Sequence, residues 1–133
     1  MGHSKTILVL GINHQSDLGE IIFNLGFIPI FRKDILPALD ILRHDRFKLV
    51  VMDLRRLDVD VLEFILNVRD INSRMPVLVL GDSTSCLNHQ DILGQLNTFI
   101  LISKSKQLRK QLNNFFKTFK EVEDALWQKE KAP

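Results

Sequence analysis

Several things are scarce in this chain of 133 residues, and each scarcity closes a route. Cysteine occurs once, as Cys86, so an internal disulfide and a cysteine metal cluster are both excluded. A single cysteine also fits residence in a reducing, cytoplasmic compartment. No apolar run approaches the roughly 18 residues that a membrane span requires, so no span is present and no membrane partner is expected. The start lacks the apolar core of a secretory signal, and Met1-Gly2-His3-Ser4 reads as a cloning remnant. Net charge is small, at +2, and does not by itself argue for nucleic acid. No G-x-x-x-x-G-K-[ST] pattern is present, so Gly11 does not belong to a phosphate loop of that kind.

What is present is globular. Hydrophobic residues make up 45% and charged residues 26%, as in an ordinary single domain of this size. Charge is uneven along the chain. Residues 103–133 hold eight Lys/Arg against four acids, so this tail carries +4 and the first 102 residues −2. Mixed signs read as a solvated helix face, with contact to an acidic partner or a phosphate backbone as the sharper alternative.

Short, continuous, branched runs recur at a regular beat. Thr6 to Leu10, Ile28 to Phe31, Leu49 to Met52, Val77 to Leu80 and Phe99 to Ile102 read as strands covered on both faces. Helical spacing falls between them. Asp17 to Leu25 has Asp17 and Glu20 spaced as a capping box and Gly26 past its end. Residues 34–44 carry Ile35, Leu36, Leu39 and Leu42. Val59 to Val68 carries Leu62, Ile65 and Leu66, and a weaker helix covers 88–96. A final helix begins near Lys104 and meets no proline or glycine before 131. The pattern predicts an α/β fold. Its core is a doubly wound, five-stranded parallel sheet of order 2-1-3-4-5, flavodoxin-like, with an extended C-terminal helix.

In such a sheet, chemistry sits beyond the carboxyl ends of the strands. The residues there are Gly11, Ile12, Asn13 and His14, then Asp53, then Gly81 to Thr84, then Ser103 and Lys104. Asp53 closes the most apolar strand and is the natural candidate for chemistry, or for capping nearby loop amides. Asn13, Ser83 and Lys104 are possible accessories. His14 reads as a surface histidine, and Asp82 to Ser85 as an N-cap cluster. His44, Cys86 and His89 have no ligand spacing, so no metal site is expected from them.

The run Asp53-Leu-Arg-Arg-Leu-Asp-Val-Asp-Val-Leu-Glu-Phe64 resembles the segment after the phosphorylated aspartate in receiver domains of bacterial response regulators. Val68-Arg69-Asp70 and Met75 to Leu80 continue the likeness, which spans about residues 5–120. The resemblance implies a two-component signalling module whose aspartate, at Asp53, takes a phosphoryl group from a histidine kinase. It also implies an acidic pair after the first strand for Mg²⁺, a Ser/Thr after the fourth strand and a Lys after the fifth. This chain departs from that pattern. Gly11 and Ile12 stand where the acids belong, and Gly81 stands at the Ser/Thr position. Leu57 and Val61 replace a proline and a glycine, and the lysine is met by Ser103, or by Lys104 only with an insertion. Phosphoryl transfer is positioning plus neutralisation of charged oxygens, and Mg²⁺ needs hard oxygen ligands. The expectation is therefore an atypical, non-enzymatic pseudo-receiver with no cofactor beyond weak Mg²⁺ at Asp53. Its partner would be a protein, either a kinase or an output domain. Two alternatives stand beside it. One is a working phospho-acceptor phosphorylated at Asp53 with Asn13 and Lys104 as helpers. The other is a small-ligand or nucleotide binder using the crevice of Gly11, Asn13, Asp53 and Ser83.

Leu108, Leu112, Phe115, Phe119, Val122 and Leu126 step by 4, 3, 4, 3 and 4, which is a heptad seam. Phe116 adds a second apolar face at the level of the sheet. A receiver-sized domain accounts for residues 1–120, so 121–133 is expected to extend the last helix as a connector or dimerisation segment. Homodimerisation through Leu112, Phe115, Phe119, Val122 and Leu126 follows, or continuation into an output domain after Pro133.

Overall fold

The computed structural model describes residues 5–11, 17–53, 60–81, 98–102 and 107–131. Among them, strands β1 (Thr6–Leu10), β2 (Ile28–Arg32), β3 (Leu49–Asp53), β4 (Val77–Gly81) and β5 (Thr98–Ile102) form one sheet of order β2-β1-β3-β4-β5. Every neighbouring pair is parallel, with Leu8 opposite Ile30 and Val50, and Val51 opposite Leu78. The helices are α1 (Asp17–Asn24), α2 (Ile35–His44), α3 (Val61–Ile71) and α4 (Leu108–Lys131). The helix expected over 88–96 lies outside the described residues, as does the capping side chain of Asp17.

Alternation along the strands divides the core into two layers. Leu8, Leu10, Val50, Met52, Val77 and Val79 pack under α2 and α3, against Leu39, Leu42, Phe64, Ile65 and Val68. Ile7, Val9, Leu49, Val51, Leu78 and Leu80 pack under α1 and α4, against Ile21, Ile22, Phe27, Leu112, Phe116 and Phe119. Because both faces are covered, the strands read as continuous apolar runs.

Local chemistry sets the helix ends. Gly26 takes φ +93°, and its N–H donates to the Phe23 carbonyl at 3.0 Å while the Phe27 N–H donates to Ile22 at 3.2 Å. This is a Schellman stop, with Phe27 and Ile22 buried together as its apolar contact. Lys120 of α4 reaches across, its Nζ donating to the Leu25 carbonyl at 3.2 Å, a cation placed at the negative end of α1. Helix α3 begins at Val61 rather than at Val59, because the Asp60 carboxylate caps it by accepting the Glu63 N–H at 3.1 Å. It closes against the turn to β4, where Arg69 Nη1 donates to the Met75 carbonyl. Burial of that guanidinium pulls its pKa below the usual arginine value.

Two helix faces differ from the sequence expectation. On α2, Leu36 is 77% exposed while Ala38, Leu39 and Leu42 are buried. On α3, Leu66 is 48% exposed, and Phe64 and Val68 join Ile65 in the core. Helix α4 starts at Leu108 rather than near Lys104, with Gln107 in the turn before it.

Candidate functional site at the carboxyl edge of the sheet

Asp53 is the last residue of β3 and lies opposite Leu80 of β4. It is fully buried, one of two buried polar residues among those described, the other being Thr98 at the far end of β5. Strand alternation places it on the face shared with Leu49 and Val51, toward α1 and α4.

Its strand neighbours are bare. On one side β1 ends at Leu10, opposite Met52, and the next residue is Gly11. Gly11 turns away with φ +91°, and its N–H donates to the Arg32 carbonyl at 3.1 Å. A left-handed backbone of this kind suits glycine and penalises other residues by roughly 1–2 kcal/mol. On the other side, Gly81 is the final residue of β4 itself, buried and opposite Ile102 of β5. Asp53 therefore sits between β1, which is followed by Gly11, and β4, which ends at Gly81. Asn13, Ser83 and Lys104, the expected accessories, lie outside the described residues, as do Arg55 and Arg56. Asp53 does have an interaction within the chain.

The seam residues of the last helix divide. Leu112 and Phe119 are buried in the layer beneath α1 and α4, together with Phe116, which is fully buried. Phe116 thus forms, at the level of the sheet, the apolar face expected of it. Phe115 is half-buried at the margin, edge-on to the 42%-exposed Phe99 of β5 at 5.4 Å and 67°. The backbone of α4 continues through Val122 and Leu126 to Lys131, giving a helix of 24 residues, about 36 Å long at 1.5 Å per residue. Among the described residues no helix is long and apolar enough to cross a membrane.

This architecture is the fold of response-regulator receiver domains. A CheY-like receiver domain protein from Methanospirillum hungatei JF-1 matches with a TM-score of 0.71 at 16% identity, over 92% of this chain and 99% of its own. The chemotaxis response regulator CheY4 of Vibrio cholerae matches at 0.69 and 17%, over 88% and 99%. The receiver domain of the sensor histidine kinase PA1611 from Pseudomonas aeruginosa PAO1 matches at 0.60 and 20%, over 84% and 97%. At such identities the likeness establishes the fold. No family model matches the chain, and no curated protein matches it either.

The PA1611 domain holds a magnesium ion coordinated in its active-site cleft. Among the described residues, the groups flanking Asp53 on β1 and β4 do not make up a donor set for such an ion. Mg²⁺ takes hard oxygen ligands in near-octahedral array. Beside Asp53, β1 is followed by Gly11, which has no side-chain oxygen, and β4 ends in Gly81. Among the described residues no group of three or more His, Cys, Asp or Glu side chains is placed to hold a metal.

Proposed function

We propose that this chain is an atypical receiver module in two-component-type signalling, cytoplasmic and non-enzymatic. It acts through contacts with a protein partner, a kinase or an output domain, rather than through phosphorylation of Asp53. The observation that carries this reading is a fully buried Asp53 flanked by β1, which gives way to Gly11 after Leu10, and by β4, which ends at Gly81. Transfer of a phosphoryl group onto a carboxylate brings anions together, and without a cation to neutralise them the electrostatic barrier stays high. A carboxylate at this position, in this fold, retains the place of the phospho-acceptor without the groups that make it react.

The same reading includes self-association. Residues 1–120 form the domain, and 121–133 extend its last helix as a dimerisation or connector segment. With Leu112 and Phe119 packed inward, the surface for a second copy is the margin of Phe115 and Phe99, continued in sequence by Val122 and Leu126. A contiguous apolar patch left in water usually marks a contact with a partner.

The test is incubation with acetyl phosphate and Mg²⁺, read by intact mass. The proposal expects an unmodified chain. A phosphoryl adduct that disappears in Asp53→Asn overturns it and makes the chain a working phospho-acceptor.

A further inference from the structure

The end of the sheet remote from Asp53 carries a second feature, built entirely of described residues. The connection from α2 to β3 and the turn from α3 to β4 enclose an open cleft of about 840 Å³. Its rim is cationic. Arg43, Arg46 and Lys48 stand on one wall and Arg74 on the other, against one carboxylate, Asp45. This cleft thus gathers a charge of +3, more than the +2 of the whole chain. Arg46, Lys48 and Arg74 also interact within the chain, and arginine has donors to share. His44 is exposed, with Nδ1 at 2.8 Å from the Asp40 carbonyl and 3.8 Å from Asp40 Oδ1. The floor is apolar, with Ile71 and Pro76 half-buried and Phe47 and Met75 buried behind them.

Backbone hydrogen bonds hold both walls. The Asp45 N–H donates to Ile41 at 2.9 Å and the Lys48 N–H to Thr6 at 2.8 Å. Opposite, the Arg74 N–H donates to Asn72 Oδ1 at 3.0 Å, and Arg69 secures the Met75 carbonyl. A cleft fixed in this way needs little ordering to bind, which favours affinity.

We propose that this cleft binds a small phosphorylated ligand of the nucleoside-diphosphate class. The phosphates lie against Arg43, Arg46, Lys48 and Arg74, and the base lies on the Ile71–Pro76 floor. Cations at the rim and a hydrocarbon base match a ligand with a charged end and a flat apolar end, and the volume suits a ligand of that size. The surroundings argue against an acidic peptide. The strands that end here, β3 and β4, are interior and paired on both sides, so no strand edge is open to an extended chain. The site does not depend on Asp53.

Backbone-amide NMR titration at constant ionic strength tests it, with ADP, pyrophosphate and a polyglutamate peptide as probes. ADP is expected to shift the amides of residues 43–48 and 72–75 saturably and more tightly than pyrophosphate. Arg43→Ala, on an exposed side chain, weakens ADP by about tenfold, whereas Lys117→Ala, away from the cleft, leaves it unchanged. Arg43→Ala combined with Arg74→Ala weakens it further while the spectrum stays dispersed. No saturable shift, shifts centred elsewhere, indifference to Arg43→Ala, or tighter binding of polyglutamate than of ADP would each overturn the proposal.

Discussion

Replacing Phe116 by alanine tests how the last helix is oriented. Phe116 is fully buried, its ring centroid 6.3 Å from Phe27 and 5.3 Å from Phe115, in the layer that joins α4 to α1 and the sheet. Removing a buried phenyl ring costs about 3–5 kcal/mol through lost transfer free energy and the cavity left behind. Little local collapse is available to reduce that figure, because Ile22, Leu78 and Leu80 around it are fully buried on fixed elements. Against a total stability of about 5–15 kcal/mol this is a large fraction. With a urea slope of about 1–3 kcal/mol/M, the midpoint should fall by roughly 2 M. Phe115→Ala supplies the contrast. That ring is half-buried and meets the exposed Phe99, so its loss should cost roughly half as much. Urea unfolding followed by circular dichroism gives both numbers. If Phe115→Ala proves as damaging as Phe116→Ala, the heptad seam rather than the sheet orients α4, and the packing described here is wrong.

Other substitutions address single joints. Gly26→Ala should lower stability by about 1–2 kcal/mol, since φ +93° suits glycine and the new Cβ would lie 3.4 Å from Lys120 Nζ; a thermal melt reads it. Asp60→Ala removes the cap of α3 and should cost about 1 kcal/mol, with a small loss of helical ellipticity. Arg69→Met leaves the carbonyl of buried Met75 without this donor and should cost about 1–3 kcal/mol by denaturant titration. Truncation after Lys120 should leave the domain folded but remove any concentration-dependent self-association seen by sedimentation, because it keeps the Lys120 Nζ bond to the Leu25 carbonyl and removes the segment proposed to pair.

The strands were legible almost to the residue, because a run such as LVVM or VLVL, too short for a helix and too apolar for a loop, has few other places to go. From five such runs and their spacing, the connection rules leave the order β2-β1-β3-β4-β5 as the natural solution. Helix faces were less legible. Leu36 and Leu66 fit an apolar period, yet both face outward, because the sheet beneath needs only a stripe and Ala38 and Phe64 fill it better. In α4 the steps of 4 and 3 run equally well through Phe115 and Phe116. The choice is made by Phe27, which follows the Schellman stop of α1 and packs on Phe116 and Phe119. Asp53 was legible because a carboxylate directly after a greasy strand is conspicuous. Its complete burial, and the φ of Gly11, were not. The basic cleft was illegible, since its walls come from residues 42–48 and 71–76, which the sheet brings together and the chain order keeps apart.

The central claim is that Asp53 has no magnesium cradle, and a calorimetric titration with Mg²⁺, run on the native chain and on Asp53→Asn, tests it most directly. The account predicts that the two titrations coincide, with no saturable binding at Asp53 up to the millimolar range typical of weak carboxylate sites. Saturable binding that the native chain shows and Asp53→Asn loses would contradict it.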